Sequence, residues 1–289
     1  MSTGVLFDAL ARRRSDDVVF CGTDGKWRVS EVEQEIEELA DRLADSRVLA
    51  IYADNSPDWA IADLAALKAA TVVLPLPLFF SKSQLTHALV QSATDLVLTD
   101  QPERILDLNL GFTVGEKRRN LFWLRREVEP IELPAGTAKI SFTSGSTGLP
   151  KGVCLSGAGL LETAHALCVR LSDIGIARHL AVLPLAVLLE NNAGIYAPLL
   201  RGAEIHLPAL GSLGWRGMAG FDPQALHRKV TEVHPDSLIL VPELLKSWSL
   251  FLVHSGQRAP DGLSYVAVGG SHVEANLMTQ ARQLGVPAY

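Results

Sequence analysis

The sequence predicts an α/β fold with largely parallel sheets flanked by helices, and three observations predict it. Short apolar runs of strand length alternate with helix-length patterns along the chain, the order that places crossover helices between parallel strands. One helical stretch carries a single apolar face and another is apolar almost all round, as amphipathic and buried helices are. Of the 289 residues, 48% are hydrophobic and 20% charged, which suffices for a sizeable core.

Taken in order, the expected strands are 47–53, 71–76, 96–99, 138–142, 152–156, 179–183, 204–207, 237–241 and 265–268. The expected helices are 30–45, 57–70, 83–92, 157–171, 188–200, 222–234, 242–254 and 272–284. Ser30 and Glu33 read as a capping box, followed by the apolar face Val32, Ile36, Leu39, Ala40 and Leu43. The stretch from Pro57 to Ala70 is the one expected to be buried on all sides. Residues 107–136 carry the weakest pattern. They hold the charge clusters Glu116-Lys117-Arg118-Arg119 and Arg125-Arg126-Glu127, read as a solvated face. The expectation is therefore two lobes, 1–106 and 137–289, joined by a connector at 107–136.

Net charge is −6 and the isoelectric point about 5.8, which argues against nucleic acid or an anionic membrane as the partner. Cys21, Cys154 and Cys168 show no CxxC spacing, which suggests a reducing compartment and no structural metal. The eight histidines include no HExxH, so no zinc site is assigned, and His165 and His179 read as packing or surface residues. No secretory signal is expected, because Arg12-Arg13-Arg14 follow the first residues rather than precede an apolar run. The most apolar stretch, from His179 to Leu200, is interrupted by Pro184, Glu190, Asn191, Asn192 and Pro198 and makes a poor membrane span. A cytoplasmic protein without integral membrane association is the expectation.

The most informative segment is Thr143-Ser144-Gly145-Ser146-Thr147-Gly148-Leu149-Pro150-Lys151. Glycines let backbone N–H groups turn toward an anion, hydroxyls add donors, and Lys151 adds a mobile positive charge. That is a phosphate cradle. It is not a Walker A loop, because Pro150 and Gly152 flank the lysine where that motif needs Gly and Ser/Thr. Read as composition alone, such a cluster is a turn. The ordered string resembles the phosphate loop of the adenylate-forming (AMP-binding) enzymes, with Ser146 where a threonine is usual.

The resemblance continues along the chain and is strongest to fatty-acyl-CoA synthetases. Asn55 to Ala70, running into Val72-Val73-Leu74-Pro75-Leu76, is similar to the first helix–strand unit of that family, which usually has glycine where Ala70 stands. Leu183-Pro184-Leu185-Ala186-Val187-Leu188-Leu189-Glu190, continuing through Gly194, resembles the strand and helix bordering the acyl pocket. There Val187 replaces a usual histidine or other polar residue, and Val187, Glu190 and Gly194 become acyl-pocket candidates. From the residues alone this is a core strand and helix. Leu263 to Ser271 resembles the strand and glycine turn that hold adenine, which makes Gly269, Gly270 and Ser271 the adenine-flanking candidates.

The resemblance implies an acyl-adenylate-forming fold that is incomplete here: a partial AMP-binding N-terminal domain. The Tyr-Gly-x-Ser/Thr-Glu motif, the ribose aspartate, the C-terminal lid domain and the adenylation lysine of the family have no counterpart in the sequence. It implies a ligase of fatty-acid metabolism that uses ATP, Mg²⁺ and coenzyme A on a small-molecule carboxylic acid. Thr143, Ser144, Gly145, Ser146, Thr147, Gly148 and Lys151 would hold the phosphates, and Lys151 would neutralise the departing pyrophosphate. The isolated chain is expected to be inactive.

Three alternatives stand beside this. One is an acyl-AMP ligase that loads an acyl carrier protein. Another is a non-catalytic nucleotide-binding remnant. The third is a serine hydrolase built on Ser271. A nucleophile elbow needs glycine where Val273 stands, and only Glu274 and His272 follow as partners.

Overall fold

A computed structural model describes residues 3–143, 151–217 and 220–289. The strands are β1 (Val18–Gly22), β2 (Gly25–Arg28), β3 (Val48–Tyr52), β4 (Val72–Pro75), β5 (Leu96–Thr99), β6 (Thr113–Arg118) and β7 (Leu121–Arg125). They continue with β8 (Thr137–Thr143), β9 (Lys151–Ser156), β10 (Arg178–Leu180), β11 (Glu204–His206), β12 (Ser237–Leu240) and β13 (Tyr265–Val268). Two compact units result. One comprises residues 1–8, 30–163 and 185–188, the other 9–29, 164–184 and 189–289.

The first unit is built on a seven-stranded sheet of order β6-β7-β5-β3-β4-β8-β9. Its centre, β5-β3-β4-β8, is parallel, and β7, β6 and β9 add antiparallel edges. The helix Pro57–Ala69 is buried from Pro57 through Leu67, as its all-round apolarity predicts. The Ser56 hydroxyl accepts the Trp59 N–H at its start, with Pro57 at the first position. Ala70 ends it at φ 57°, the left-handed C-cap conformation that favours glycine. The helix Val29–Leu43 begins one residue before the expected cap, so Ser30 lies inside its first turn. A capping box forms instead at Ser81 and Gln84.

The expected connector at 107–136 is not a linker. It contains the β6–β7 hairpin, and β7 pairs with β5 through Leu96↔Arg125 and Leu98↔Trp123. The short run Leu121-Phe122-Trp123-Leu124, masked in sequence by its charged flanks, buries Leu121, Trp123 and Leu124. Glu116, Lys117, Arg119, Arg125 and Glu127 are exposed, as a solvated face is, and several of the basic residues also find partners. Arg118 binds Glu35 and Glu38, Arg119 binds Asp58 at 2.8 Å, and Arg126 donates to the carbonyls of Thr94 and Leu89.

The second unit is built on a six-stranded sheet of order β13-β12-β10-β11-β1-β2, parallel except where β2 folds back on β1. β1 lies beside β11 with Phe20 opposite Ile205. The first 106 residues therefore do not form one lobe, because residues 9–29 complete this sheet. A core of Leu180, Val182, Leu226, Leu240, Leu245, Trp248 and their neighbours fills the unit. The expected helix 188–200 is interrupted: α-helical turns at Leu188–Glu190 and Ala197–Leu200 bracket a π-helical turn, Asn191–Tyr196. Pro198 has no N–H to return to the carbonyl of Gly194, so the α-helical ladder cannot run through. The helix expected from His272 starts at Ala275, after an extended Glu274. Beyond it, Tyr289 donates its N–H to the Val266 carbonyl, while Val266 and Val268 donate to the carbonyls of Pro287 and Tyr289, which extends the sheet past β13.

Candidate functional site

In the first unit, the arms of the phosphate loop are the antiparallel strands β8 and β9. Thr143 stands opposite Lys151 and Phe142 opposite Gly152. A Cβ at Gly152 would come within 3.1 Å of the Ile140 and Phe142 side chains, so the glycine lets the two arms approach. Lys151 is exposed and borders a cavity that His87, Phe142 and Cys154 also line. Ser144, Gly145, Ser146, Thr147 and Gly148 lie outside the described residues. Within the same unit the Asn55 side-chain oxygen accepts the Leu185 N–H at 2.8 Å.

In the second unit, the glycine turn follows β13 at its carboxyl end. Gly269 donates its N–H to the Leu240 carbonyl, and Gly270 adopts φ +94°. A Cβ at Gly270 would be both strained and 3.3 Å from Val241, so this position requires glycine. Ser271 and His272 are exposed on the same turn.

Gly269 also lines a cavity of about 230 Å³. One wall is a sheet face. Alternate residues of a strand point to the same side, and here Ser237 and Ile239 of β12 and Tyr265, Ala267 and Gly269 at β13 face the cavity. The other wall is helical, with Leu167, Cys168 and Leu171 from one segment and Leu189, Ala193 and Ala197 from the next. No Asp or Glu lines it among the described residues.

His179 of β10 lines this cavity and is buried. Its Nδ1 lies 2.9 Å from Ser237 Oγ, and its Nε2 lies 3.0 Å from Glu190 Oε1. The second Glu190 oxygen accepts the Leu183 N–H at 3.0 Å. The result is a buried chain Ser237–His179–Glu190, and His179 is more than the packing residue the sequence suggested. Of the expected acyl-pocket residues, Val187, Glu190 and Gly194 do not form the cavity lining. Glu190 and Gly194 stand behind His179. A Cβ at Gly194 would fall 2.1 Å from Glu190 Oε1 and 2.8 Å from His179 Nε2, so only glycine leaves room for the pair. The lining residues escaped sequence reading because each belongs to an ordinary apolar core pattern. The period-two alternation of Ser237 with Ile239 and of Tyr265 with Ala267 was the one available signal.

A second polar cluster joins Cys21, Glu204 and His206, whose ligand-type atoms lie within 4.8 Å of one another. Cys21 Sγ and His206 Nε2 both contact Glu204 Oε1, at 3.3 and 2.6 Å. Burial, then the charge of Glu204, pushes the Cys21 thiol up to about 12. Burial also raises Glu204, but bonds from Cys21 and His206 prevail and hold the carboxyl below its usual range. Arg178 Nε lies 3.7 Å from the same Glu204 oxygen, so the donors of the cluster converge on one carboxylate. Among the described residues, no helix is long and apolar enough to cross a membrane.

The chain is 26% identical over 273 residues to tyrocidine synthase 3 of Brevibacillus parabrevis, covering 86% of this chain and 4% of that protein. Its fold is similar to O-succinylbenzoate coenzyme A synthetase (MenE) of Bacillus subtilis, solved in complex with AMP, with a TM-score of 0.74 and 18% identity. That match covers 99% of this chain and 57% of the other, so the chain spans just over half the length of that neighbour. MenE has also been solved in complex with ATP and magnesium ion. The amide bond synthetase McbA of Marinactinospora thermotolerans gives a TM-score of 0.76 at 19% identity, over 99% of this chain and 57% of that one. A family model described as AMP-binding enzyme matches residues 7–288. With the sheet topology, the β8–β9 arms and the glycine turn after β13 in place, the chain belongs to the AMP-binding, adenylate-forming enzyme family.

Proposed function

We propose that the protein containing this chain activates an apolar carboxylic acid with ATP and passes the acyl group to coenzyme A. A carboxylate oxygen attacks the α-phosphorus of MgATP and pyrophosphate leaves. The thiol sulfur then attacks the acyl carbon and AMP leaves. The observation that carries the substrate class is the cavity beside Gly269, walled by Leu167, Leu171, Leu189, Ala193, Ile239 and Ala267. An α-amino acid would need an acidic group for its ammonium. Glu190 is the acid nearest to that task, and its two oxygens are already bonded to His179 and to the Leu183 N–H. Ligands of open parallel sheets bind at the carboxyl ends of strands, and Gly269 is at that end of β13.

In this reading Thr143, Ser144, Gly145, Ser146, Thr147, Gly148 and Lys151 hold the phosphates, while Gly269, Gly270 and Ser271 flank adenine. Mg²⁺ arrives with ATP, since it binds mainly through phosphates and few carboxylates. Lys151 neutralises the departing pyrophosphate, a contribution realised as charge develops. A second reading changes only the acceptor, from coenzyme A to a carrier-protein thiol. The similarity to tyrocidine synthase 3 favours it.

The test is ATP–pyrophosphate exchange by the full-length protein with fatty acids, aromatic acids and amino acids side by side, followed by a comparison of thiol acceptors. Exchange driven by apolar acids supports the proposal, and exchange driven by α-amino acids alone refutes it. Lys151→Ala is expected to slow exchange without unfolding the chain.

A further inference from the structure

The cluster of Cys21, Glu204 and His206 is set by strand register. β1 lies parallel to β11 with Cys21 opposite His206. Side chains two apart on a strand share a face, so Glu204 joins them. On β10, Arg178 and Leu180 stand opposite Glu204 and His206, while His179 stands opposite Ile205. His179 lines the cavity beside Gly269, so the cluster and that cavity use opposite faces of one sheet. Local spacing in the sequence hides the cluster, because 183 residues separate Cys21 from Glu204.

Three kinds of metal donor meet here: a thiol sulfur, an imidazole nitrogen and a carboxylate oxygen. Around a tetrahedral divalent ion with bonds of about 2.0–2.3 Å, donor atoms sit roughly 3.3–3.6 Å apart. Cys21 Sγ and Glu204 Oε1 are 3.3 Å apart, His206 Nε2 and Glu204 Oε1 2.6 Å, and all three atoms lie within 4.8 Å of one another. Admitting an ion opens the nitrogen–oxygen pair by ~0.7 Å. Glu204 and His206 are partly exposed, which leaves their side chains free to make that move. No other group of three such donors stands together among the described residues. Beside Cys21 and His206 lies a cavity of about 260 Å³, also lined by Thr23, Ser212 and Lys229. It has room for a water that completes four-fold coordination.

A thiolate and a carboxylate offset both charges of a divalent ion. The nearby cations have other attachments. Lys229 is paired with Glu232 at 2.7 Å, and Lys26, opposite Cys21 on β2, is exposed. Arg13 donates to the carbonyls of Ala203 and Val18, and Arg178 to those of Val233 and His234. Arg178 Nε, 3.7 Å from Glu204 Oε1, makes no hydrogen bond among the described residues.

We propose that Cys21, Glu204 and His206 bind a divalent transition-metal ion of the zinc type, with water as the fourth ligand. Sulfur and imidazole select against Mg²⁺, which prefers oxygen, so this site is separate from the Mg²⁺ that accompanies ATP. Binding expels the thiol proton to solvent. Sγ, Oε1 and Nε2 each supply a lone pair, and the neutral imidazole keeps its one proton on Nδ1. The ion fastens β1 to β11 on the sheet face turned away from the Gly269 cavity, so its role is to hold the sheet together.

The full-length protein, stripped with a chelator under reducing conditions, is titrated with Co²⁺. One equivalent is expected to give a sulfur-to-cobalt charge-transfer band and the intense visible bands of a tetrahedral ion, and Zn²⁺ is expected to bleach both. Cys21→Ser is expected to abolish the charge-transfer band. His206→Gln keeps the thiol, so the band is expected to remain, with affinity reduced by more than the ~10–100-fold that outer-shell changes cost. That variant decides the matter if Cys21→Ser fails to fold. Zn²⁺ is also expected to raise the unfolding temperature of the stripped protein, and Mg²⁺ at equal concentration to leave it unchanged. Absence of the charge-transfer band, a band that survives in folded Cys21→Ser, unchanged affinity in His206→Gln, or equal shifts from Zn²⁺ and Mg²⁺ overturns the proposal.

Discussion

Two buried polar clusters, one from each unit, are built for different ends. In the first unit Lys139 of β8 and Asp63 of the helix Pro57–Ala69 meet at 2.6 Å, both fully buried. Burial pushes the Lys139 ammonium below its usual range, and the charge and hydrogen bond of Asp63 oppose it. Core residues seal this pair on every side. In the second unit Ser237–His179–Glu190 is equally buried, yet His179 and Ser237 form the wall of a void. A sealed ion pair fixes how a helix seats on a strand. A polar chain that ends at a cavity can meet a ligand. What separates structure from recognition is the empty volume beside the polar atoms, and burial alone does not reveal it.

The comparison can be broken most severely at Lys139. Removing one partner of a buried pair leaves an uncompensated charge, so Lys139→Met is expected to cost about 3–5 kcal/mol in denaturant unfolding. The double change Lys139→Met with Asp63→Leu should recover most of that loss. A double mutant as unstable as the single would show that the pair itself, and not the orphaned charge, holds the core. Gly194→Ala comes next. The added methyl collides with Glu190 and His179, and overpacking of this kind costs about 1–3 kcal/mol. Thermal melts should show the loss, together with lower use of all acids, because the cavity wall shifts. Full retention of stability and activity would show that the π-helical turn yields at no cost.

Ala267→Leu sharpens the comparison without disturbing either cluster. It fills the middle of the cavity and should move acid preference toward shorter chains, at roughly 0.8 kcal/mol for each methylene excluded. An unchanged chain-length profile in pyrophosphate exchange would mean the acid lies elsewhere. The smallest effect is expected at Cys21, in chelator-treated protein. Its thiol titrates near 12 in the fold against 9.0 ordinarily, so the folded state holds the proton longer than the unfolded one. That contribution is complete below pH 9 and is lost as pH rises toward 12. Cys21→Ala should flatten the alkaline limb of a stability–pH curve. A limb as steep as that of the unsubstituted chain would place the titration elsewhere.

Much of the fold was legible because its signals are local. The helix Pro57–Ala69 announced itself by Pro57 and by unbroken apolarity, and β5 and β13 fell where their runs were read. The family was legible in the order of Thr143 to Lys151. The elements that escaped depend on distant pairing. β1 pairs locally with β2 and β7 with β6, but their other edges lie on β11 and β5, and those partners are not visible from a window of a dozen residues. The candidate site divides the same way. Gly269 and Gly270 could be read from a turn motif. His179 and Ser237 could not be paired, because 58 residues separate them and only the register of β10 on β12 brings them together.

The place of β1 in its sheet sets a timetable. The strand is among the first parts of the chain to be made, yet the side chain of Arg13 just before it bonds the carbonyl of Ala203, 190 residues later. At a synthesis rate of about 5–20 residues per second, the apolar Val18-Val19-Phe20 waits roughly 10–40 s for its parallel neighbour. Pairings of such long range are slow to form and leave strand edges open meanwhile. The second unit therefore cannot assemble piecemeal as the chain emerges. A chain interrupted before Glu204 keeps β1 paired with β2 alone, its other edge open, and aggregation is its expected fate.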